Sequence, residues 1–160
     1  MDFKASSGKT VKIVTIAVTV LFAAIIIWNL IGYQYQSRTG LLLGSAVILL
    51  VYSSCWLYSP LHYSVDNDFL TIHRPIGNLK IKRDSVTNVQ ALTAKQISYA
   101  IRTFGVGGVF GYFGKFYNTE FGSMNWYLTR KDTPVLVTTS SNKKIVISPD
   151  DQTGFVRQFD

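Results

Sequence analysis

The chain has 160 residues, 16 Lys or Arg against nine Asp or Glu, a formal charge of +7, and one cysteine. A single cysteine excludes an internal disulfide framework and a cysteine-based zinc site. The positive charge is spread without long basic runs, which argues against a nucleic-acid binder, where charge gathers on one face.

In chain order, residues 1–12 read as a basic tail. Lys4, Lys9 and Lys12 are its cations and are candidates for contact with anionic headgroups. Residues 13–59 then hold two apolar runs, Ile13 to Ile31 and Leu41 to Tyr58, neither carrying a charge. Each is long enough for roughly 27–29 Å of helix, the thickness of a bilayer's hydrocarbon core. The link between them, residues 32–39, is short and polar, so the runs form an antiparallel transmembrane hairpin. Lipid offers backbone N–H and C=O groups no partner, so both spans are helical. Trp28, Tyr33 and Tyr35 at one end, and Tyr52, Trp56, Tyr58 and Tyr63 at the other, are placed as interfacial aromatic belts.

Lys and Arg placement sets the orientation. Three lysines precede the first span and the link carries only Arg38, which puts the N-terminus in the cytoplasm. Two spans return the chain to the same side. The expected location is the inner, cytoplasmic membrane, with both termini cytoplasmic. Gly40 and Gly44 form a Gly-x-x-x-Gly pair at the start of the second span. Such pairs let helices approach closely, here for packing the two spans together in preference to self-association.

Residues 60–160 read as one cytoplasmic domain, with twelve Lys or Arg against eight Asp or Glu. Pro60 ends the second helix. Strands follow at residues 62–66, 69–74, 79–82 and 86–93, separated by turns at 67–68 and 75–78 and by one brief break at 83–85, which suits a single helical turn. Residues 95–102 fit a loop or a short helix. Further strands fall at about 115–120, 124–130, 134–139 and 143–147. Ser148 is placed as the cap of a final helix, with Pro149 at its first position and Asp151 completing a capping box. Phe155, Val156 and Phe159 form its apolar stripe, with Phe155 and Phe159 expected to be buried.

This order of pieces resembles the bacterial pleckstrin-homology (PH) domain proteins. Residues 63–74, 79–89, 111–116, 127–129 and 144–151, followed by Phe155, are similar to that family's segments in order and spacing. The resemblance implies an α+β membrane protein: a two-helix transmembrane hairpin followed by a mainly antiparallel β PH-like split barrel with a C-terminal α-helix. The family's fold does not name one function, since members of the wider superfamily bind lipids, peptides or each other. Lipid-binding eukaryotic PH domains carry Lys and Arg around the first strand–strand loop. Here that loop is Asp66-Asn67-Asp68, which repels phosphate.

The glycine–aromatic stretch from Phe104 to Tyr117 stands out. It lacks the third glycine of a dinucleotide fingerprint. It is either a glycine-kinked strand with its rings in the core, or an exposed surface for a partner. Phe104, Phe110, Tyr112, Phe113 and Phe116 are the candidate interface. Lys80, Lys82 and Arg83, with Lys143 and Lys144, are candidates for a basic face toward an anionic surface. His62 and His73 lack neighbouring ligands, Glu120 is the only glutamate, and no nucleophile motif is present. No enzyme activity, metal or cofactor is expected. The expected function is a membrane-anchored cytoplasmic interaction module in scaffolding or assembly, as part of a larger membrane complex or a homo-oligomer, with membrane lipids around it. The alternative is a protein that binds a lipid or small ligand at the membrane surface.

Overall fold

The computed structural model describes residues 1–31 and 38–159. Tyr33, Tyr35 and the Arg38 side chain, with their expected places at the far interface, lie outside them. Two long helices dominate the first third of the chain, α1 (Lys9–Ile31) and α2 (Arg38–Leu57). Both are long and apolar enough to cross a membrane, and almost none of their surface is buried inside the protein. A helix that is apolar all round and unburied has its apolar partner outside the chain.

Several polar side chains within the helices pair with each other or with their own backbone. The Thr19 hydroxyl donates to the Thr15 carbonyl at 2.7 Å and lies 2.5 Å from the Tyr52 hydroxyl. Asn29 Nδ2 donates to Ser45 Oγ at 3.5 Å. The Phe22 and Tyr52 rings meet edge to face. These contacts, and not Gly44, join the two helices. A Cβ built on Gly44 would meet nothing within 4 Å, so that glycine faces away from α1.

The first residues are not a loose tail. Asp2–Lys4 form strand β1, which pairs antiparallel with β2 (His62–Val65). β2, β3 (Phe69–His73) and β4 (Leu79–Lys82) continue a four-stranded sheet in the order β1-β2-β3-β4. A single 3-10 turn (Arg83–Ser85) leads to β5 (Val86–Ala91) and a short helix α3 (Ala94–Ser98). Then come β6 (Ile101–Gly107), β7 (Tyr112–Asn118), β8 (Gly122–Leu128), β9 (Val135–Thr139), β10 (Lys144–Ile147) and the terminal helix α4 (Gln152–Val156). The second sheet runs β5-β9-β10-β8-β7-β6, antiparallel throughout except where β10 lies parallel to β8.

Alternation of side chains along these strands builds two cores. Val135, Val137, Ile145 and Ile147 point to the four-stranded sheet, where they meet Phe3, Tyr63, Leu70 and Ile72, with Phe155 of α4 closing the group. Leu136, Val146, Trp126 and Leu128 point the other way, where Ile97 of α3 and Val11 of α1 cover them. The base of α1 is therefore part of the domain's core. Tyr63, expected at the membrane interface, is fully buried, and its hydroxyl donates to the Tyr127 carbonyl at 2.7 Å. Burial pushes its pKa up to about 12, against the smaller opposing effect of Ser148.

The end of the chain departs from expectation in its cap. Ser148 is buried and its hydroxyl accepts from the Thr129 backbone N–H at 2.9 Å, tying β10 to β8. Asp151 caps instead, accepting from Gly154 N at 2.9 Å, and α4 is little more than one turn. The serine is drawn inward because the adjoining buried backbone donors need a partner. Phe155 is fully buried; Phe159 is half-buried, 5.5 Å from it between ring centroids.

Candidate functional site

The glycine–aromatic stretch forms a two-stranded ribbon, β6 and β7, whose start at Ile101 lies within the segment read as loop or short helix. Its two strands come unusually close. Gly105 has φ +112° and a Cβ there would sit 2.2 Å from the Phe113 carbonyl oxygen; Gly114 has φ +123° and meets the Phe104 carbonyl oxygen at 2.3 Å. Only glycine fits either position. At the ribbon's tip, Phe110 N–H donates to Thr15 Oγ1 of α1 at 2.9 Å, and the Phe110 ring packs on Tyr52 of α2 with centroids 5.1 Å apart. The tip is thus wedged against both long apolar helices.

The ribbon separates the five candidate interface rings by role. Tyr112 and Phe116 are buried in the second core, with Phe116 stacked on Trp126 at 4.0 Å, so these two are not a surface for a partner. They occupy the inner face of the pleat, where alternate residues must point. Phe110 joins domain to spans. Phe113 is buried on the opposite face. Phe104 alone is open, 76% exposed.

The four-stranded sheet does not cover the β6–β7 end of the larger sheet. α2 runs past that uncovered face and encloses a cleft of about 590 Å³. Leu50, Val51, Phe104, Val106 and Phe113 make its walls apolar, and Tyr58 and Arg74 stand at one end. Arg74 belongs to the β3–β4 turn, which is fixed to α2 by Ile76 N–H donating to the Leu57 carbonyl at 3.1 Å. Its guanidinium lies over the Tyr58 ring at 5.8 Å and donates to the Gly77 carbonyl. Among the described residues it has no carboxylate partner.

Tyr127 lines this cleft and also a second, polar one of about 350 Å³ holding Lys80, Lys82 and Lys143. The structure thus gathers three of the predicted basic residues. It sends two elsewhere: Arg83 donates to the Gln158 and Asp66 carbonyls, and Lys144 donates to the Phe121 carbonyl. Lys4, Lys9 and Lys12 are exposed near the domain end of α1. A third cluster fastens the N-terminal segment to the domain. Asp150 accepts from Ser6 N–H and Oγ and from Arg130, which also pairs with Asp132 at 2.5 Å. Burial would raise the Asp150 pKa, but the Ser6 hydrogen bonds and Arg130 outweigh it and hold the carboxyl below its usual range. Among the described residues no group of three His, Cys, Asp or Glu could hold a metal ion.

Arg74 and Tyr127 escaped the sequence reading. The available signal for Arg74 was its isolation as the only Lys or Arg between the second span and Lys80.

The domain's two sheets, closed by the short helix α4, can be set beside known families. The sequence profile described as "Bacterial PH domain" matches residues 61–160. This chain belongs to the bacterial PH domain family. Its PH domain follows two candidate membrane spans and is completed by a strand that precedes both of them. No curated protein and no solved structure matches the chain.

Proposed function

We propose that this protein is a membrane-anchored interaction module acting in scaffolding or assembly, with its PH domain and both termini on the cytoplasmic face of the inner membrane. The observation that carries this reading is the edge strand β6. Among the described residues it pairs only with β7, runs seven residues without proline, and carries or adjoins large exposed apolar side chains at Tyr99, Ile101 and Phe104, so the irregularity between Arg102 and Phe104 blunts it only in part. Monomeric proteins usually blunt such an edge, and an edge left open is a template for strand addition by another chain. The partner is a second copy or a different subunit of a membrane complex. The orientation is supported by Lys4, Lys9 and Lys12 on the domain's side of the spans, where positive charge favours the cytoplasm.

The test is a double substitution, Ile101→Lys with Phe104→Lys, in the full chain extracted in mild detergent. Both side chains are exposed, so the thermal unfolding midpoint is expected to stay within about 3 °C of the parent, while the assembly's mass falls to that of a monomer. A parent that is already monomeric, with no stoichiometric partner in the native membrane extract, would count against the reading. Reporter fusions placing the C-terminus outside the cytoplasm would overturn the orientation.

A further inference from the structure

The apolar cleft between α2 and the β6–β7 ribbon has features that an interaction edge does not require. One wall is a helix whose surroundings, if it crosses a membrane, are lipid. The other wall is the uncovered face of the sheet, with Phe104, Val106 and Phe113. No lining residue is acidic. Polarity changes along the cleft's length. Leu50 and Val51 mark its apolar part, while Tyr58 and Arg74 mark its polar end. Leu50 and Tyr58 are eight positions apart along the chain, about 12 Å of helix rise. Tyr58 is 50% exposed at the end of α2, where an aromatic residue sits at headgroup depth. A bilayer phospholipid has this same gradient, with a phosphate at the surface and acyl chain below it.

Arg74 gives the polar end a sign. Its guanidinium contacts a carbonyl and an aromatic face but no carboxylate, so its charge is unneutralised within the described residues. A planar guanidinium matches phosphate oxygens geometrically. The volume lies within the range of about 300–1,000 Å³ typical of small-molecule sites. The acidic first hairpin loop is elsewhere: Asp66 N–H bonds Phe69 at the β2–β3 turn, whereas Arg74 is at the far end of β3.

We propose that this cleft is a lateral site for one anionic phospholipid of the surrounding bilayer, an acyl chain lying against Leu50, Val51 and Phe113 and the phosphate at Arg74. The site is entered sideways from the membrane and differs in position and chemistry from the first hairpin loop. It shares Phe104 and Val106 of β6 with the strand edge, but Arg74 lies off β6, so the Arg74 variants test the lipid site separately from the strand-edge reading.

Native mass spectrometry of the full chain in detergent, titrated with phosphatidylglycerol or phosphatidylcholine, tests it. The parent is expected to retain one phosphatidylglycerol and to prefer it over phosphatidylcholine. Arg74→Gln should weaken phosphatidylglycerol retention roughly tenfold, as loss of one charge-assisted contact implies, and Arg74→Lys, which keeps the charge without the planar fork, should restore it in part. Val106→Trp, which fills the cleft, should lower retention of both lipids. Arg74 is in a turn and outside both cores, so its variants carry the test even where Val106→Trp fails to fold. Equal retention of the two lipids, or retention untouched by Arg74→Gln, would overturn the proposal. So would glycerol phosphate without acyl chains binding as tightly as the lipid, or a second protein chain occupying the cleft in the isolated complex.

Discussion

Replacing Phe3 by Ala probes the joining of the N-terminal segment to the PH domain. Phe3 is 9% exposed, packs with Tyr63, Leu70 and Ile72, and meets Phe155 edge to face with centroids 5.1 Å apart. Truncating a core Phe costs about 3–5 kcal/mol, and the lower end applies here because β1 is a three-residue edge strand. A loss of about 3 kcal/mol in a domain of this size lowers the unfolding midpoint by roughly 10–20 °C. The assay is thermal unfolding of the full chain in detergent micelles, followed by near-ultraviolet circular dichroism of the domain's buried aromatics. A cycle of Phe3→Ala, Phe155→Ala and the double variant should show a coupling of about 0.5–1.5 kcal/mol, as expected for an edge-to-face aromatic pair. A midpoint unchanged within about 2 °C, a shift equivalent to under 0.5 kcal/mol, would mean that residues 1–8 do not fold into the domain.

Two further outcomes follow from the geometry. Gly105→Ala places a methyl group against the Phe113 carbonyl at a positive φ and should destabilise the ribbon by roughly 1–3 kcal/mol from backbone strain alone, whereas Gly44→Ala, whose Cβ meets open space, should change stability by less than about 0.5 kcal/mol; denaturation of both variants beside the parent checks the contrast. His73 is stacked on His62 at 4.1 Å and its pKa is lowered from 6.5, chiefly by burial and then by His62, with Asp2 and Asp66 opposing and Lys80 adding to the depression. A lowered folded pKa means the unfolded chain binds the proton more readily, so stability is present above the unfolded value and is lost as pH falls below about 6.5. His73→Gln should flatten that acid limb in unfolding measured from neutral to mildly acidic pH; an unchanged slope would remove His73 as its source.

The parts of this fold that were legible in the sequence are those with a strong local signal. Two uncharged runs of span length could be read from hydropathy alone, and alternation located β3, β4, β9 and β10 within a residue or so. The parts that escaped depend on partners distant in the chain. Nothing local distinguishes Asp2–Lys4 from a solvated tail, because its strand character comes from pairing with residues about 60 positions later. The ribbon was ambiguous because its glycines remove side chains, and with them the period-two pattern, at the very positions where the strands touch. Ser148 looked like a cap because a serine before Pro149 fits that role locally, but buried N–H groups of the neighbouring strand claim its oxygen. The cleft was invisible because it is built from α2, a turn and a ribbon that share no sequence neighbourhood, and Arg74 gained meaning only once the fold set it over Tyr58.

The pairing of β1 with β2 also bears on how the chain reaches its final state. One partner strand precedes both apolar helices and the other follows them, so if those helices span a membrane the two strands meet only when the intervening chain crosses it an even number of times. A molecule in which one helix enters and the other fails would hold Asp2–Lys4 on one side and His62–Val65 on the opposite side. Its slot for Phe3 would stay empty, and the rings and aliphatic side chains around that slot would face water. For helices that span a membrane, closure of this small sheet would report on insertion: a correctly threaded chain seals its own domain, and a misthreaded one keeps an unfinished edge.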